Sequence, residues 1–377
     1  MSLTLRRVES RRDLKAFIAF PSRLFRGNPY YVPSLRFDDL NTLDPQRNPA
    51  FEFCEAAYWL AERDGRAVGR VAAIHNRRYV EKWGNKYARF GWMDFVEDFE
   101  VAEALIGAVE SWARERGLEG VHGPLGFTDL DREGLLVEGF DRVATLATNW
   151  NPPYYADYIE RLGYAKDTDW VEFLIPVPEE VPEKVRRVNE ILAKRTGVRI
   201  YEWTSKKKLA ARYAKDLFAL IDDAYAGLYG TTPLSPRQVE AYTAQYFGFV
   251  DPRFTKVLVD EEERLIGFGI AMPSMSRALQ KSRGRLFPLG WLHLLLALRR
   301  PEILDLYLVG VRKEWQSRGI VALLLASINE SAREAGIRFA ESNPELEDNT
   351  AVHGLWKTHD RTQHKRRRVY LKLLSKS

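Results

Sequence analysis

The sequence predicts an α/β fold built as two tandem lobes, each a mixed β-sheet flanked by helices. Two observations carry the prediction. The chain runs through one order of elements twice, and at residues 304–325 a strand, a glycine turn and a Leu-rich helix follow without a break. A length of 377 residues suits two cores better than one.

In the first copy, residues 58–76 (YWLAERDGRAVGRVAAIHN) alternate on either side of Asp64-Gly65 and read as strand, turn and strand. A further strand and a long helix follow, and the helix stops at Gly117 in ARERGL (113–118), where a glycine suits the position after a helix end. The half closes with a helix in 151–163 and strands around 169–177. The second copy repeats this: a hairpin at 256–272 with Gly267 in the place of Gly69, a helix ending at Gly336 in AREAGI (332–337), a helix in 349–359 and a strand at 368–374. Residues 176–184 (PVPEEVPEK) form a Pro-rich charged seam, so the lobes are assigned to 1–178 and 179–377.

The segment 304–325 (LDLYLVGVRKEWQSRGIVALLL) is the clearest chemical signal. A strand running through a short polar turn into a helix aims free backbone N–H groups at one point, which favours a pyrophosphate. Gly319 lets a ligand approach the backbone without a Cβ in the way. The turn Gln316-Ser317-Arg318-Gly319-Ile320-Val321 resembles the CoA-binding motif Q/R-x-x-G-x-G/A of the GNAT acyltransferases, with Val321 where that motif has a small residue. The order of elements also matches the GNAT plan, a mixed sheet splayed at its two central strands. The resemblance implies acyl-CoA as co-substrate, with no permanently bound cofactor, and a backbone donor for the thioester carbonyl on the strand around Val309, Gly310 and Val311. The corresponding turn of the first lobe, 94–103 (DFVEDFEVAE), has no glycine and carries five acids, which would repel a pyrophosphate. Acyl-CoA is therefore expected in the second lobe alone.

Direct acyl transfer to an amine needs a route for the ammonium proton. Position on the plan nominates Glu341, at the end of the strand 339–344 (FAESNP), and His353 on the next helix. Trp356 stands where many GNAT members have a tyrosine that protonates the leaving thiolate. Two loops look built for an acceptor. Residues 222–236 carry Tyr225, Tyr229 and Thr231 beside a glycine. Residues 123–139 carry Asp129, Asp131 and Glu138, suited to a protonated amine, in a connection of unusual length. Residues 281–300 (KSRGRLFPLGWLHLLLALRR) place an apolar stretch, with Trp291 in its middle, between basic flanks. That pattern fits a buried helix, a wall for an acyl tail, or a segment lying on an anionic membrane.

Composition bounds the rest. A formal net charge of +5 is mild for this length, and the one basic run, 365–368 (KRRR), has no stacking motif beside it, so no nucleic acid partner is expected. It is read instead as a solvated strand face or a contact to CoA. The single cysteine, Cys54, excludes an intramolecular disulfide and a thiolate metal cluster, and no metal site is expected. No apolar run approaches the ~20 residues that span a bilayer, and the N-terminus is charged where a signal peptide would be apolar. The cytoplasm is the expected location, with peripheral contact at the inner membrane surface through 281–300.

Five stretches narrow the resemblance: 28–51, 89–98, 123–141, 224–235 and 365–372. They resemble the tandem GNAT-like group that includes the bacterial ceramide synthases. Membership implies N-acylation of a long-chain sphingoid base, or its 3-keto form, from a fatty acyl-CoA. Two alternatives stay open: short-chain N-acetyl transfer to a soluble amine or amino acid, and a degenerate acyl-CoA- or lipid-binding protein.

Overall fold

A computed structural model describes residues 2–180, 183–248, 250–316, 318–355 and 360–375. The strands are β1 (Leu3–Arg7), β2 (Cys54–Arg63), β3 (Arg66–Asn76), β4 (Tyr87–Phe95), β5 (Gly120–Gly123), β6 (Leu135–Glu138), β7 (Ala165–Pro176), β8 (Arg199–Ile200), β9 (Thr255–Val259), β10 (Leu265–Pro273), β11 (Ile303–Val311), β12 (Phe339–Ser342), β13 (Glu345–Leu346) and β14 (Thr362–Leu373). Both predicted hairpins are present, β2–β3 and β9–β10. The tight turn of the first holds Asp64 and Gly65 at φ 52° and 70°, the left-handed pair that Asp-Gly supplies.

The strands join in one 14-stranded sheet, ordered β1-β2-β3-β4-β5-β14-β7-β12-β11-β10-β9-β8, with β13 on β7 and β6 on β14. Each half keeps one parallel pair at its centre, β4–β5 and β11–β12. The last strands are exchanged. β14, from the end of the chain, pairs with β5, β6 and β7. β7, from the first half, pairs with β12 and β13 of the second. The sheet therefore runs unbroken across the division at 178/179.

Helices cover the sheet as the apolar spacing requires. Phe99–Arg114 buries Val101, Leu105, Ile106 and Val109 against the first-half strands, and Asp98 caps its start through Glu100 N at 3.0 Å. In the second half, Val321–Glu334 lays Leu324, Ile328 and Ala332 on the sheet. Cys54 is buried among apolar neighbours, and burial pushes its thiol up to about 12, so it packs as a small hydrophobe.

The run Lys365–Arg368 is not a solvated face. Lys365 and Arg367 are buried to 1% and 0% exposure, because β14 lies in the middle of the sheet and presents these side chains to Glu172 and Glu341.

Candidate active site

The second-half sheet opens where β11 leaves β12. The two are paired from Ile303–Phe339 to Leu306–Ser342, and Asn343 N still reaches Leu306 O at 2.9 Å. Beyond that point the Asn343 side-chain amide donates to Tyr307 O at 3.3 Å, and β11 continues to Val311 with no strand paired on this side. On its other edge the pairing with β10 jumps from Ala271–Leu306 to Ile270–Leu308, which leaves Tyr307 as the extra residue of a β-bulge. The bulge switches which alternate residues of the strand face the helix Val321–Glu334, from even-numbered before it to odd-numbered after it. Leu304 and Leu306 pack with Ile328 below it, and Val309 and Val311 pack with Leu324 above it. A splay and a bulge at one residue make a cleft whose floor is backbone.

In that cleft the Val309 amide donates to Tyr225 Oη at 3.3 Å, and the Tyr225 hydroxyl donates to Val309 O at 3.0 Å. Tyr225 ends the helix Lys206–Tyr225, so a predicted acceptor-loop ring and the predicted carbonyl donor are in direct contact. Gly310 is shaped by packing: a Cβ there would stand 2.7 Å from Phe268 of β10. The strand then turns through Gln316, whose amide donates to Val311 O at 3.2 Å, and Arg318, stacked 4.6 Å from the Trp315 ring. Gly319 takes φ +75° with nothing nearer its missing Cβ than Leu192 at 4.0 Å, and Ile320 and Val321 begin the helix Val321–Glu334. Ser317 lies outside the described residues, as does Trp356.

The first-half counterpart is closed. Leu125 N donates to Phe90 O at 2.8 Å, and a Cβ on Gly91 would stand 2.4 Å from Leu125 O, so the chain fills the gap beside β4. The helix start that would meet a pyrophosphate carries Asp98, held by Arg63 at 2.5 Å.

The two loops expected to serve an acceptor meet at one cavity. Asp129 lines a small cavity with Lys82, Asp222, Tyr225, Thr231 and Thr232. Burial raises the Asp129 carboxyl, and burial with the nearby Asp129 charge raises Asp222 to about 6. Asp131 accepts from Phe127 N at 2.8 Å and Thr128 N at 3.1 Å, which fixes the loop's shape, while burial raises it to about 6. Glu138 points elsewhere and accepts from Arg366 Nε at 3.1 Å. Tyr229 bridges His122 Nδ1, at 2.9 Å, and Asp167. Trp291 is half exposed on the helix Gly290–Arg299, away from this cavity's lining, and its indole donates to Pro288 O at 3.0 Å.

No family model matches the chain. It is 28% identical to the bacterial ceramide synthase of Caulobacter vibrioides over 97% of this chain and 96% of that protein. It is 26% identical to protein YghO of Escherichia coli K12 over 96% and 93%. Among solved structures, a tandem GNAT protein from the clavulanic acid biosynthesis pathway superposes with a TM-score of 0.57 at 14% identity, covering 100% of both chains. The chain has the tandem GNAT fold.

On that fold, β11 and β12 are the splayed central strands of the second lobe, and Glu341 stands in register with Asp305 across them. Glu341 is not free: it is ion-paired to Lys365 and lies 3.4 Å from His364 Nε2. Lys365 is also 3.2 Å from Glu172, which holds Arg367 Nε at 2.5 Å. Burial alone would lower the Lys365 ammonium, but Glu172 and Glu341 hold it above its ordinary value. His353 stands edge-on to Phe173 with ring centroids 5.8 Å apart, and its Nε2 lies 3.8 Å from Glu345. Burial, then the Arg361 charge, lowers its pKa. Sequence reasoning missed Asp305, Tyr307 and His122. Asp305 and Tyr307 lie on β11, inside the segment 304–325, where a charge amid Leu and Val was the available signal.

Proposed function

We propose that the chain is an acyl-CoA-dependent N-acyltransferase. Its second lobe carries the acyl-CoA and its acceptor is the primary amine of a long-chain lipid, most closely a sphingoid base or its 3-keto form. The cleft beside β11, with its glycine turn and helix start, is the observation that carries the reading. It offers backbone donors to a thioester carbonyl and to a pyrophosphate, while the first lobe's equivalent is filled. Gln316, Ser317, Arg318, Gly319, Ile320 and Val321 would hold the phosphates, and the Val309 amide the carbonyl. Asp129 and Tyr225 would face the acceptor.

The lipid part rests on two supports. One is the likeness to the Caulobacter protein over nearly the whole chain. The other is the surface of residues 281–300, where Phe287 is 77%, Leu289 61% and Trp291 49% exposed between exposed Lys281, Arg283, Arg285, Arg299 and Arg300. Apolar side chains ringed by cations suit an anionic membrane surface. No helix among the described residues is long and apolar enough to cross a membrane.

In the reaction a neutral amine attacks the thioester carbon, a C–N bond forms, and collapse of the tetrahedral oxyanion breaks C–S and releases the thiolate. The test is thiol release from acetyl- to palmitoyl-CoA, with and without sphinganine, 3-ketosphinganine and soluble amines, with products followed by mass. Release that needs a long acyl chain and a long-chain base is expected. Release with acetyl-CoA and a soluble amine alone would replace the lipid reading with short-chain acetyl transfer.

A further inference from the structure

The buried charges beside the cleft do not close. Across four neighbouring strands, Asp305 on β11, Glu341 on β12, Glu172 on β7 and Lys365 and Arg367 on β14 form one cluster, with Asp305 opposite Glu341 and Lys365 opposite Glu172. Glu172 has Lys365 and Arg367, and Glu341 has Lys365 with His364 beside it. Asp305, 2% exposed, has no cation within ion-pair distance among the described residues; its carboxylate forms no close hydrogen bond, and only the Ser274 and Tyr307 hydroxyls act on it as weak hydrogen-bond donors. Two residues along, at the bulge, the Tyr307 hydroxyl is buried, forms no close hydrogen bond, and faces the Asp305 carboxylate. A buried carboxylate with only weak hydroxyl contacts and no paired cation is costly unless something completes it.

The position says what would complete it. Asp305 lies one residue below the last β11–β12 pair, Leu306–Ser342, and Tyr307 is the residue at which the cleft opens. The other charged and polar groups acting on them are Glu341 from β12, Lys365 from β14, Ser274 after β10 and Arg132 from the first lobe's 123–139 loop. That loop is the one the acceptor reading nominated.

We propose that Asp305 and Tyr307 seat the acceptor's ammonium at the root of the cleft, and that Asp305 takes its proton. This rests on the N-acyltransferase reading above. Asp305 carboxylate receives one proton from R–NH3+, giving the neutral amine. After attack on the thioester the nitrogen passes its second proton to the departing thiolate, and Asp305 returns its own to solvent. Burial, reinforced by the Glu341 charge, raises the Asp305 carboxyl well above the ordinary carboxylate range, which makes it a competent base toward an ammonium. Glu341, held by Lys365, then acts as a positioning residue that sets the field at Asp305.

The test uses the full chain with dodecylamine and dodecanol as probes, read by titration calorimetry, alongside turnover. Asp305→Asn should weaken dodecylamine binding at least tenfold, leave dodecanol and palmitoyl-CoA binding unchanged, and lower kcat at least a hundredfold with loss of the acidic limb of the pH profile. Tyr307→Phe should give a smaller loss of the same kind. Dodecylamine bound equally by wild type and Asp305→Asn would overturn the proposal whether or not any substrate pair turns over. Selective amine binding without turnover would leave the ammonium seat standing and count against the transferase reading and against Asp305 as its base.

Discussion

At the residue scale, Tyr225 and His122 make opposite kinds of claim. The Tyr225 hydroxyl occupies both the N–H and the C=O of Val309, and the N–H is the group a thioester carbonyl would address. Ligand binding there must displace it, and one net hydrogen bond amounts to roughly 1 kcal/mol. Tyr225→Phe should therefore tighten a non-hydrolysable acyl-CoA by about fivefold in calorimetry; a tenfold weakening would make the hydroxyl a ligand contact instead. His122 is fully buried, and burial, with Arg89 opposing Asp167, pushes it down to about 4. Its ordinary value is near 6.5, so the unfolded chain binds the proton that the fold refuses. The stability His122 supports is complete above pH 6.5 and is lost as pH falls toward 4. The melting temperature of wild type should then fall faster between pH 7.5 and 5 than that of His122→Asn, narrowing the gap between them; parallel curves would show an ordinary imidazole.

At the scale of elements, the hairpins, the helices ending at Gly117 and Gly336 and the strand-turn-helix at 304–325 were legible because each is written in local spacing and turn chemistry. Residues 365–368 were not. A run of four cations is ordinarily solvated, and the partners that bury it, Glu172, Asp169 and Glu138 among them, lie some two hundred residues earlier in the chain. The bulge at Tyr307 was equally hidden, since an extra residue shows only against a partner strand's register. The segment 281–300 was legible in composition but not in exposure. It folds as Ser276–Ser282 and Gly290–Arg299, with the apolar turn between them outward. Replacing Leu289 and Trp291 together by Asp should abolish co-sedimentation with vesicles containing anionic lipid while leaving the melting temperature within a few degrees, because neither side chain belongs to a core cluster. Undiminished sedimentation would remove the membrane role from this segment.

For the whole molecule, the repeat made two lobes visible and concealed how they are joined. Either lobe's sequence reads the same whether its last strand completes its own sheet or its neighbour's. Here β14 fills the position between β5 and β7, and its removal would bare the edges of both. It would also leave Glu172 buried without Lys365 and Arg367, and Asp169 with Lys166 alone once Arg366 and Arg368 are gone; a buried carboxylate that loses its partner costs about 3–5 kcal/mol. That is a large share of a typical domain's stability. Residues 1–178 expressed alone should therefore be unfolded by circular dichroism. The same fragment co-expressed with 179–377 should recover a folded 1:1 complex, because the exchanged strands need no covalent link between the halves. A chain ending before β14 should fail like the isolated first half. If 1–178 instead melted cooperatively near the intact protein's temperature, the exchange would be dispensable and each lobe would stand as its own folding unit.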